Sequence, residues 1–162
     1  MLNVEGGARM EFKRRVKRAF SVIGLEGSTE DGEGFVARLW AEANARFAEV
    51  EPLAARDETG GLLGIWGAMS DFARTFAPWE NFERGLYLAG VECRPDAEPP
   101  RGWTRWDIPG FEFLACRADG PDAFARAAAR LRENKIPLAG AAQDFTCPAT
   151  GEGWFYFPVK RL

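Results

Sequence analysis

The order of the predicted elements constrains the fold of this chain more than any other feature. Alternating or β-branched apolar runs bounded by turn residues predict strands, and 3.6-residue apolar spacing predicts helices. These segments follow one another as β-α-β-β and then as β-α-β-β again, which indicates a duplicated module. Strands are predicted at 15–28, 60–70, 85–95, 111–118, 140–148 and 153–162, and helices at 35–50 and from Pro121 to 135.

The predicted fold class is α+β, in which duplicated β-α-β-β modules form an antiparallel sheet with helices on one face. The whole chain, 1–162, is expected to be a single domain, with a first module at about 15–95 and a second at about 108–160. The runs at 62–69, 86–91 and 154–159 are apolar on both sides of a strand. Something must therefore cover the face of the sheet that the helices leave open.

Composition and charge exclude several classes of function. The net charge of −3 and a pI near 5.2 argue against direct nucleic-acid binding, although "KRRVKR" at 13–18 is a short basic cluster. The sequence has no apolar run long enough to span a membrane and no signal-peptide core at its start, so no membrane partner and a cytoplasmic location are expected. Oligomeric state is left open between monomer and homodimer.

The reactive side chains narrow the chemistry further. The chain contains no His, and its three Cys lie far apart without C-x-x-C spacing. These features exclude a Ser-His-Asp triad and disfavour the usual zinc sites, so neither a metal nor a cofactor is expected. Catalysis of any kind would rest on carboxylates, Tyr, Lys or Arg.

Glu92 is the sequence position that most needs an explanation. It lies in the apolar stretch "LYLAGVEC", where strand alternation places it on the same face as Leu86, Leu88 and Gly90. A buried carboxylate is costly unless it is paired, neutralised or close to water. Glu92 either forms an ion pair with a nearby arginine at the strand end or faces a cavity that receives a cation.

Several short motifs, in this order, give the chain its resemblance to a known family. They are "FSVIGLEG", "LWAEANARFAEV", "WGAMSD", "LYLAGVE", "IPGFEF" and a closing "FPV". Their succession over about 140 residues resembles the GyrI-like (gyrase-inhibitor-like) effector-binding domains, which also occur as the ligand-sensing part of AraC-type and MerR-type regulators. The resemblance implies a ligand groove between the two modules that takes up flat, often cationic aromatic molecules, with a buried Glu that meets the positive charge.

Within that resemblance, Glu92 is the expected anchor for the charge. Many family members carry a Glu four residues before the Pro of the closing motif, where this chain has Trp154. Trp66 and Met69 point to opposite strand faces, so only a bulge would bring both into one pocket. The remaining candidates are tryptophans and polar residues expected on the groove wall, rim or lid: Trp40, Asn44, Trp103, Trp106, Trp154 and Tyr156.

Three functions remain open on the sequence. The first is a stand-alone binding protein that senses or sequesters small aromatic compounds. The second, implied by a branch of the same family, is a hydrolase that opens strained cyclopropane rings of DNA-alkylating natural products, with Glu92 and Tyr156 as the catalytic groups. The third is a tetrapyrrole binder, for which the chain offers no His as an axial ligand.

Overall fold

The computed structural model describes residues 10–162, so residues 1–9, where no signal segment is expected, lie outside the described residues. Within this described range the chain forms eight strands and two α-helices, in the predicted α+β class. The strands are β1 Lys13–Lys17, β2 Phe20–Ser28, β3 Ile65–Ser70, β4 Leu86–Cys93, β5 Thr104–Ile108, β6 Phe111–Arg117, β7 Gln143–Thr146 and β8 Gly153–Arg161. The helices are α1 Phe35–Ala45 and α2 Ala123–Glu133.

All eight strands belong to one antiparallel sheet in the order β1-β6-β8-β7-β3-β4-β2-β5. The strands of the first β-α-β-β module, β2, β3 and β4, occupy one half of this sheet, and those of the second, β6, β7 and β8, occupy the other. The modules meet where β3 pairs with β7, and Gly67 lies directly opposite Asp144 at that junction. The duplicated arrangement expected from the sequence is confirmed.

The sheet is strongly curled, because two short connections join strands that are far apart in it. β1 and β2 are six strand positions apart, which in a flat sheet is about 29 Å, yet only Arg18 and Ala19 separate them in sequence. Three peptide steps span at most about 11 Å. β5 and β6 are also six positions apart and are joined by Pro109 and Gly110 alone.

This curl answers the question of what covers the second face. The inner face is filled by its own side chains, among them Val22, Trp66, Leu88, Trp106 and Ile108, all of which are buried. The sheet thus closes over its inner face, while the helices cover the outer face. Neither α1 nor α2 has the length and apolar character needed to cross a membrane.

The helices pack on the outer face, one on each module. Ala43 of α1 belongs to a cluster with Ile23 and Val91 of the first module, and Leu131 of α2 belongs to a cluster with Cys116 and Phe157 of the second. The helix bounds differ slightly from the predicted ones. α1 ends at Ala45 and continues as two short 3-10 turns, and Pro121 precedes α2 by two residues.

Two edge strands were not recognised as such in the sequence. The predicted strand 15–28 is broken at Arg18 and Ala19 into β1 and β2, and the segment containing Trp106 is strand β5, where a loop was expected. β1 reads "KRRVK", a charged sequence of the kind that protects sheet edges but carries no apolar alternation. β5 reads "TRWDI" and does alternate, with Trp106 and Ile108 pointing inward.

Candidate functional site

A cavity of about 270 Å³ lies on the outer face, where the two modules meet. Strand alternation explains its floor. Met69 pairs with Tyr87 and Gly67 pairs with Asp144, so these side chains share the helix-covered face. The walls come from both helices and from the segment between β3 and β4. The lining residues are Val36, Met69, Trp79, Phe82, Tyr87, Phe124, Ala142, Asp144 and Phe155.

Among the described residues that line the cavity, Asp144 is the only charged one. The Tyr87 hydroxyl donates a hydrogen bond of 2.8 Å to Oδ2 of Asp144, and the same hydroxyl accepts one of 2.9 Å from Nε1 of Trp40. Oδ1 of Asp144 is buried and has no hydrogen-bond partner among residues 10–162. Asp144 therefore lines the cavity and carries a buried carboxylate oxygen whose bonding capacity is unused.

The surroundings of Asp144 alter its acidity. Burial raises the pKa of Asp144 to about 6, although the Tyr87 hydrogen bond acts in the opposite direction. Burial is also the main cause of the raised pKa of Tyr87, to which the nearby Asp144 charge adds. At neutral pH most of the Asp144 population is ionised, and no cation among the described residues pairs with it in the structure. The Asp144 carboxylate therefore lacks a compensating positive charge among the described residues.

The backbone at the module junction makes room for this polar pair. A Cβ added at Gly67 would overlap the Tyr87 hydroxyl and come within 3.0 Å of Oδ2 of Asp144. Glycine at this position lets the tyrosine of β4 reach the aspartate of β7 across β3. The hydrogen bond between Tyr87 and Asp144 thus requires glycine at position 67, although Gly67 has no side chain to line the cavity.

Glu92, the anchor expected from the sequence, lies on the inner face of the sheet. Its carboxylate is 3.1 Å from Nζ of Lys17 and accepts a hydrogen bond of 3.1 Å from Nε1 of Trp66. Lys17 also lies over the Phe20 ring, with Nζ 4.5 Å from its centroid. Glu92 is therefore a nearly buried carboxylate whose cation comes from the chain itself.

Glu92 does border an open depression of about 600 Å³ at the end of the curled sheet. Its two acidic lining residues are already paired, since Lys17 contacts Glu92 and Arg105 forms an ion pair of 3.0 Å with Asp107. The role of Glu92 as a cation anchor stays a prediction. The structure does not bring Glu92 together with the cavity between the modules.

The other candidate residues are divided between the two faces. Met69 lines the cavity, and Trp40 supports it through the Tyr87 hydroxyl. Trp66 and Tyr156 lie on the inner face with ring centroids 5.5 Å apart, so the expected separation of Trp66 from Met69 is found without a bulge in β3. Asn44 is exposed on α1.

The remaining tryptophans have structural contacts outside the cavity. Trp103 is buried and donates a hydrogen bond of 3.1 Å to Glu49, and Trp106 is buried in β5 and donates one of 2.9 Å to Glu26. Trp154 lies between two cations, Lys13 and Arg117, each 5.4 Å from its ring centroid. Trp103 and Trp106 are thus held in the core, which differs from the lid position expected for them.

Asp144 and several aromatic residues of the cavity were missed as candidates. Asp144 carries the same signal as Glu92, a single carboxylate within a predicted strand, here "GAAQDFTCP". The sequence does not reveal which of the two carboxylates faces the helices, because that depends on the register between β3 and β7. Phe82, Phe124 and Phe155 reach the cavity from three separate segments, the β3–β4 connection, α2 and β8.

Comparison with solved structures identifies the fold. SAV2435 bound to tetraphenylphosphonium superposes with a TM-score of 0.67 at 12% identity, over 93% of this chain and 94% of that chain. EcmrR, in a complex with DNA, gives a TM-score of 0.63 at 9% identity, over 94% of this chain and 58% of that chain. A protein from Staphylococcus aureus described as a transcription regulation protein gives 0.58 at 14% identity, over 93% and 99%.

These likenesses confirm the GyrI-like fold expected from the sequence motifs. No protein-family model matches the sequence, and no curated protein matches it either. The sequence identities to the solved structures lie between 9% and 14%, so the likeness describes the fold, and the site has to be argued from the residues of this chain.

Proposed function

We propose that this protein binds small aromatic cations in the cavity between its two modules, with Asp144 as the group that meets the positive charge. The observation that carries the proposal is that Asp144, which lines a largely apolar cavity, has a buried Oδ1 without a hydrogen-bond partner among residues 10–162. An aromatic cation would pair with this carboxylate and bury its rings against the aromatic walls.

Two further observations support the proposal. The solved structure SAV2435, which shares the fold, is bound to tetraphenylphosphonium, an aromatic cation. The lining also contains four aromatic rings besides Tyr87, on Trp79, Phe82, Phe124 and Phe155. Such a binding protein would act as a sensor or as a sequestering module for these compounds.

The choice between Asp144 and Glu92 as anchor rests on what each carboxylate already binds. Glu92 is paired with Lys17, so an external cation would have to displace an ammonium group that is covalently held in place. Asp144 has a neutral donor, Tyr87, on one oxygen only. Binding a cation there costs less, because no existing ion pair is broken.

Tryptophan fluorescence titration tests the proposal with a matched pair of compounds. Methyltriphenylphosphonium carries a charge, and triphenylphosphine oxide has a similar shape without one. We expect the cation to bind the wild type and to lose about 10- to 100-fold in affinity in Asp144→Asn, about 1.4 to 2.8 kcal/mol. The oxide should bind both proteins equally.

Glu92→Gln is the matched control variant, because it neutralises the other nearly buried carboxylate. Unchanged cation affinity in this variant would support Asp144 as the anchor. A loss confined to Glu92→Gln would move the site to the inner face, in line with the expectation from the sequence. Absence of quenching in the wild type by either compound would overturn the binding proposal.

A second candidate function is hydrolysis of strained-ring aromatic compounds in the same cavity. The hydrogen-bonded pair of Tyr87 and Asp144 favours it, because an acid with a pKa of about 6 next to a hydroxyl can hold and release a proton during ring opening. This assignment would replace Glu92 and Tyr156 as the catalytic pair. Mass spectrometry of recovered cyclopropane-containing compounds distinguishes the two functions, since water addition is expected only from a hydrolase. No feature of the described residues favours tetrapyrrole binding.

A further inference from the structure

A second cavity, of about 170 Å³, lies beside helix α2 and shares one lining residue with the first. Phe82 lines both cavities, and its ring packs edge-on against Phe124 of α2, with centroids 5.5 Å apart. Phe82 is thus the lining residue that the two cavities share. The second cavity is lined by Phe82, Ala128, Leu131, Arg132, Ile136 and Leu138, of which only Arg132 is charged.

The backbone at Phe82 is held in an unfavourable conformation. Asn81 and Phe82 have φ values of 51° and 58°, in the left-handed region that non-glycine residues seldom adopt. In the same segment, Arg74 and Phe76 have φ values of 56° and 63°. Such conformations are sparsely populated and are found at ligand clamps and switch segments.

The size of the first cavity indicates that it holds only part of a ligand. Its volume of about 270 Å³ lies just below the range of roughly 300–1,000 Å³ found for pockets that enclose drug-sized molecules. The two cavities together exceed that lower limit. The apolar lining of the second cavity suits an alkyl or aryl group, whereas a second positive charge would lose its hydration there and meet Arg132.

We propose that the second cavity is a subsite for an apolar arm, so that the preferred ligand is an elongated monocation with its charged aromatic head beside Asp144 and its arm beyond Phe82. This inference rests on the proposed function and specifies the class of ligand. Phe82 is a specificity-determining residue in this arrangement, because its ring must turn away before the arm can enter.

Calorimetric titration with three phosphonium cations tests the subsite. The cations are methyltriphenylphosphonium, octyltriphenylphosphonium and 8-aminooctyltriphenylphosphonium, which share a head and differ in the arm. We expect the octyl compound to bind the wild type at least tenfold more tightly than the methyl compound. The terminal ammonium of the third compound should remove most of this gain at almost the same arm length.

Two variants separate the subsite from general hydrophobic attraction. Ala128→Phe fills the second cavity from α2, and Leu138→Trp fills it from the opposite wall. Both should abolish the octyl gain while methyl binding, which reports a folded site, remains within about twofold of wild type. Phe82→Ala joins the cavities and should increase the gain.

The outcomes distinguish failure of the subsite from failure of the proposed function. If the methyl compound binds and depends on Asp144, but the octyl compound gains nothing in the wild type, the subsite is wrong and the proposed function stands. An octyl gain that survives both Ala128→Phe and Leu138→Trp also overturns the subsite. If no phosphonium cation binds the wild type, the subsite and the proposed function fail together.

Discussion

The hydroxyl of Tyr87 in the first module donates a hydrogen bond of 2.8 Å to Asp144 in the second. This contact crosses β3 at the point where the two modules join, and both residues line the cavity there. The polar pair that links the halves of the fold is thus also the polar part of the candidate site. Binding affinity, its pH dependence and stability should respond together to changes at this pair.

Cation affinity should fall in acid. The pKa of Asp144 in the free protein is about 6, and only its ionised form pairs with a cation. We expect the dissociation constant of methyltriphenylphosphonium to be constant above about pH 7 and about tenfold larger at pH 5. Titrations from pH 5 to 8 check this, with triphenylphosphine oxide as the neutral control. A flat profile for the cation would contradict the role of Asp144.

Asp144→Asn should stabilise the protein near neutral pH while it weakens cation binding. The folded-state pKa of about 6 lies above the unmodified value of 3.8, so the folded state binds more protons and loses stability as pH rises between these values. Removal of the charge should raise the free energy of unfolding at pH 7.5 by about 1 to 3 kcal/mol.

Urea denaturation at pH 7.5 and pH 4 measures this effect. The advantage of Asp144→Asn should shrink at pH 4, where the folded wild type is already protonated at this position. Asp119→Asn is the control, because Asp119 is exposed and distant from the cavity, and it should change stability by less than about 0.5 kcal/mol. If Asp144→Asn is less stable than the wild type at pH 7.5, the folded state stabilises the Asp144 charge, and the expected cost of burying it is contradicted.

Tyr87→Phe should shift the pH dependence of cation binding upward. The Tyr87 hydrogen bond lowers the pKa of Asp144, so its loss leaves burial unopposed and moves the midpoint of the binding profile above 6. Tyr156→Phe is the matched control, since Tyr156 lies on the inner face. A shift of the binding midpoint in Tyr156→Phe, with none in Tyr87→Phe, would mean that Tyr87 does not control the pKa of Asp144.

Gly67→Ala should disrupt the site without removing any group that lines it. The added methyl group would overlap the Tyr87 hydroxyl, which must move away from Asp144. We expect about a tenfold loss in cation affinity and a stability loss of about 1 to 3 kcal/mol. Gly153→Ala, in β8, is the control, because its nearest neighbour is a Cβ at 3.5 Å, an ordinary contact. Equal effects of the two substitutions on affinity would argue against this geometry.

Glu92→Gln should lower stability without lowering cation affinity. Lys17 would lose its carboxylate partner while the Trp66 indole keeps an acceptor. The contact between Lys17 and Glu92 joins two charged groups, and Lys17 is partly exposed to solvent. We therefore expect the free energy of unfolding to fall by about 1 to 3 kcal/mol, as for other hydrogen bonds to charged groups. Thermal denaturation and phosphonium titration of the same preparation measure both quantities. Unchanged stability would mean that solvent replaces the Lys17 contact at no cost.

Much of the fold could be predicted because its signals are local. The apolar stripe on α1, with Leu39 and Ala43, and the runs in β3, β4 and β8 identify the elements and their repeated order. β1 was merged with β2 because its charged residues show no apolar alternation. The curl of the sheet also stayed hidden, since the two-residue links reveal it only once the strand order is known.

The site was harder to predict because it depends on which face of the sheet each strand turns toward the helices. Alternation correctly separated Trp66 from Met69, but it could not show that the Met69 side carries the cavity. Glu92 and Asp144 look alike in sequence. Two features of the structure distinguish them. The pairing of β3 with β7 places Asp144 on the face that carries the cavity, and Lys17 forms an ion pair with Glu92.

A crystal structure of the protein with methyltriphenylphosphonium tests the central claim most directly. We expect the phosphonium between α1 and α2, with its rings against Trp79 and Phe155 and its charge closer to Asp144 than to any other carboxylate. A cation bound on the inner face beside Glu92, with the cavity between the modules unchanged, would contradict it.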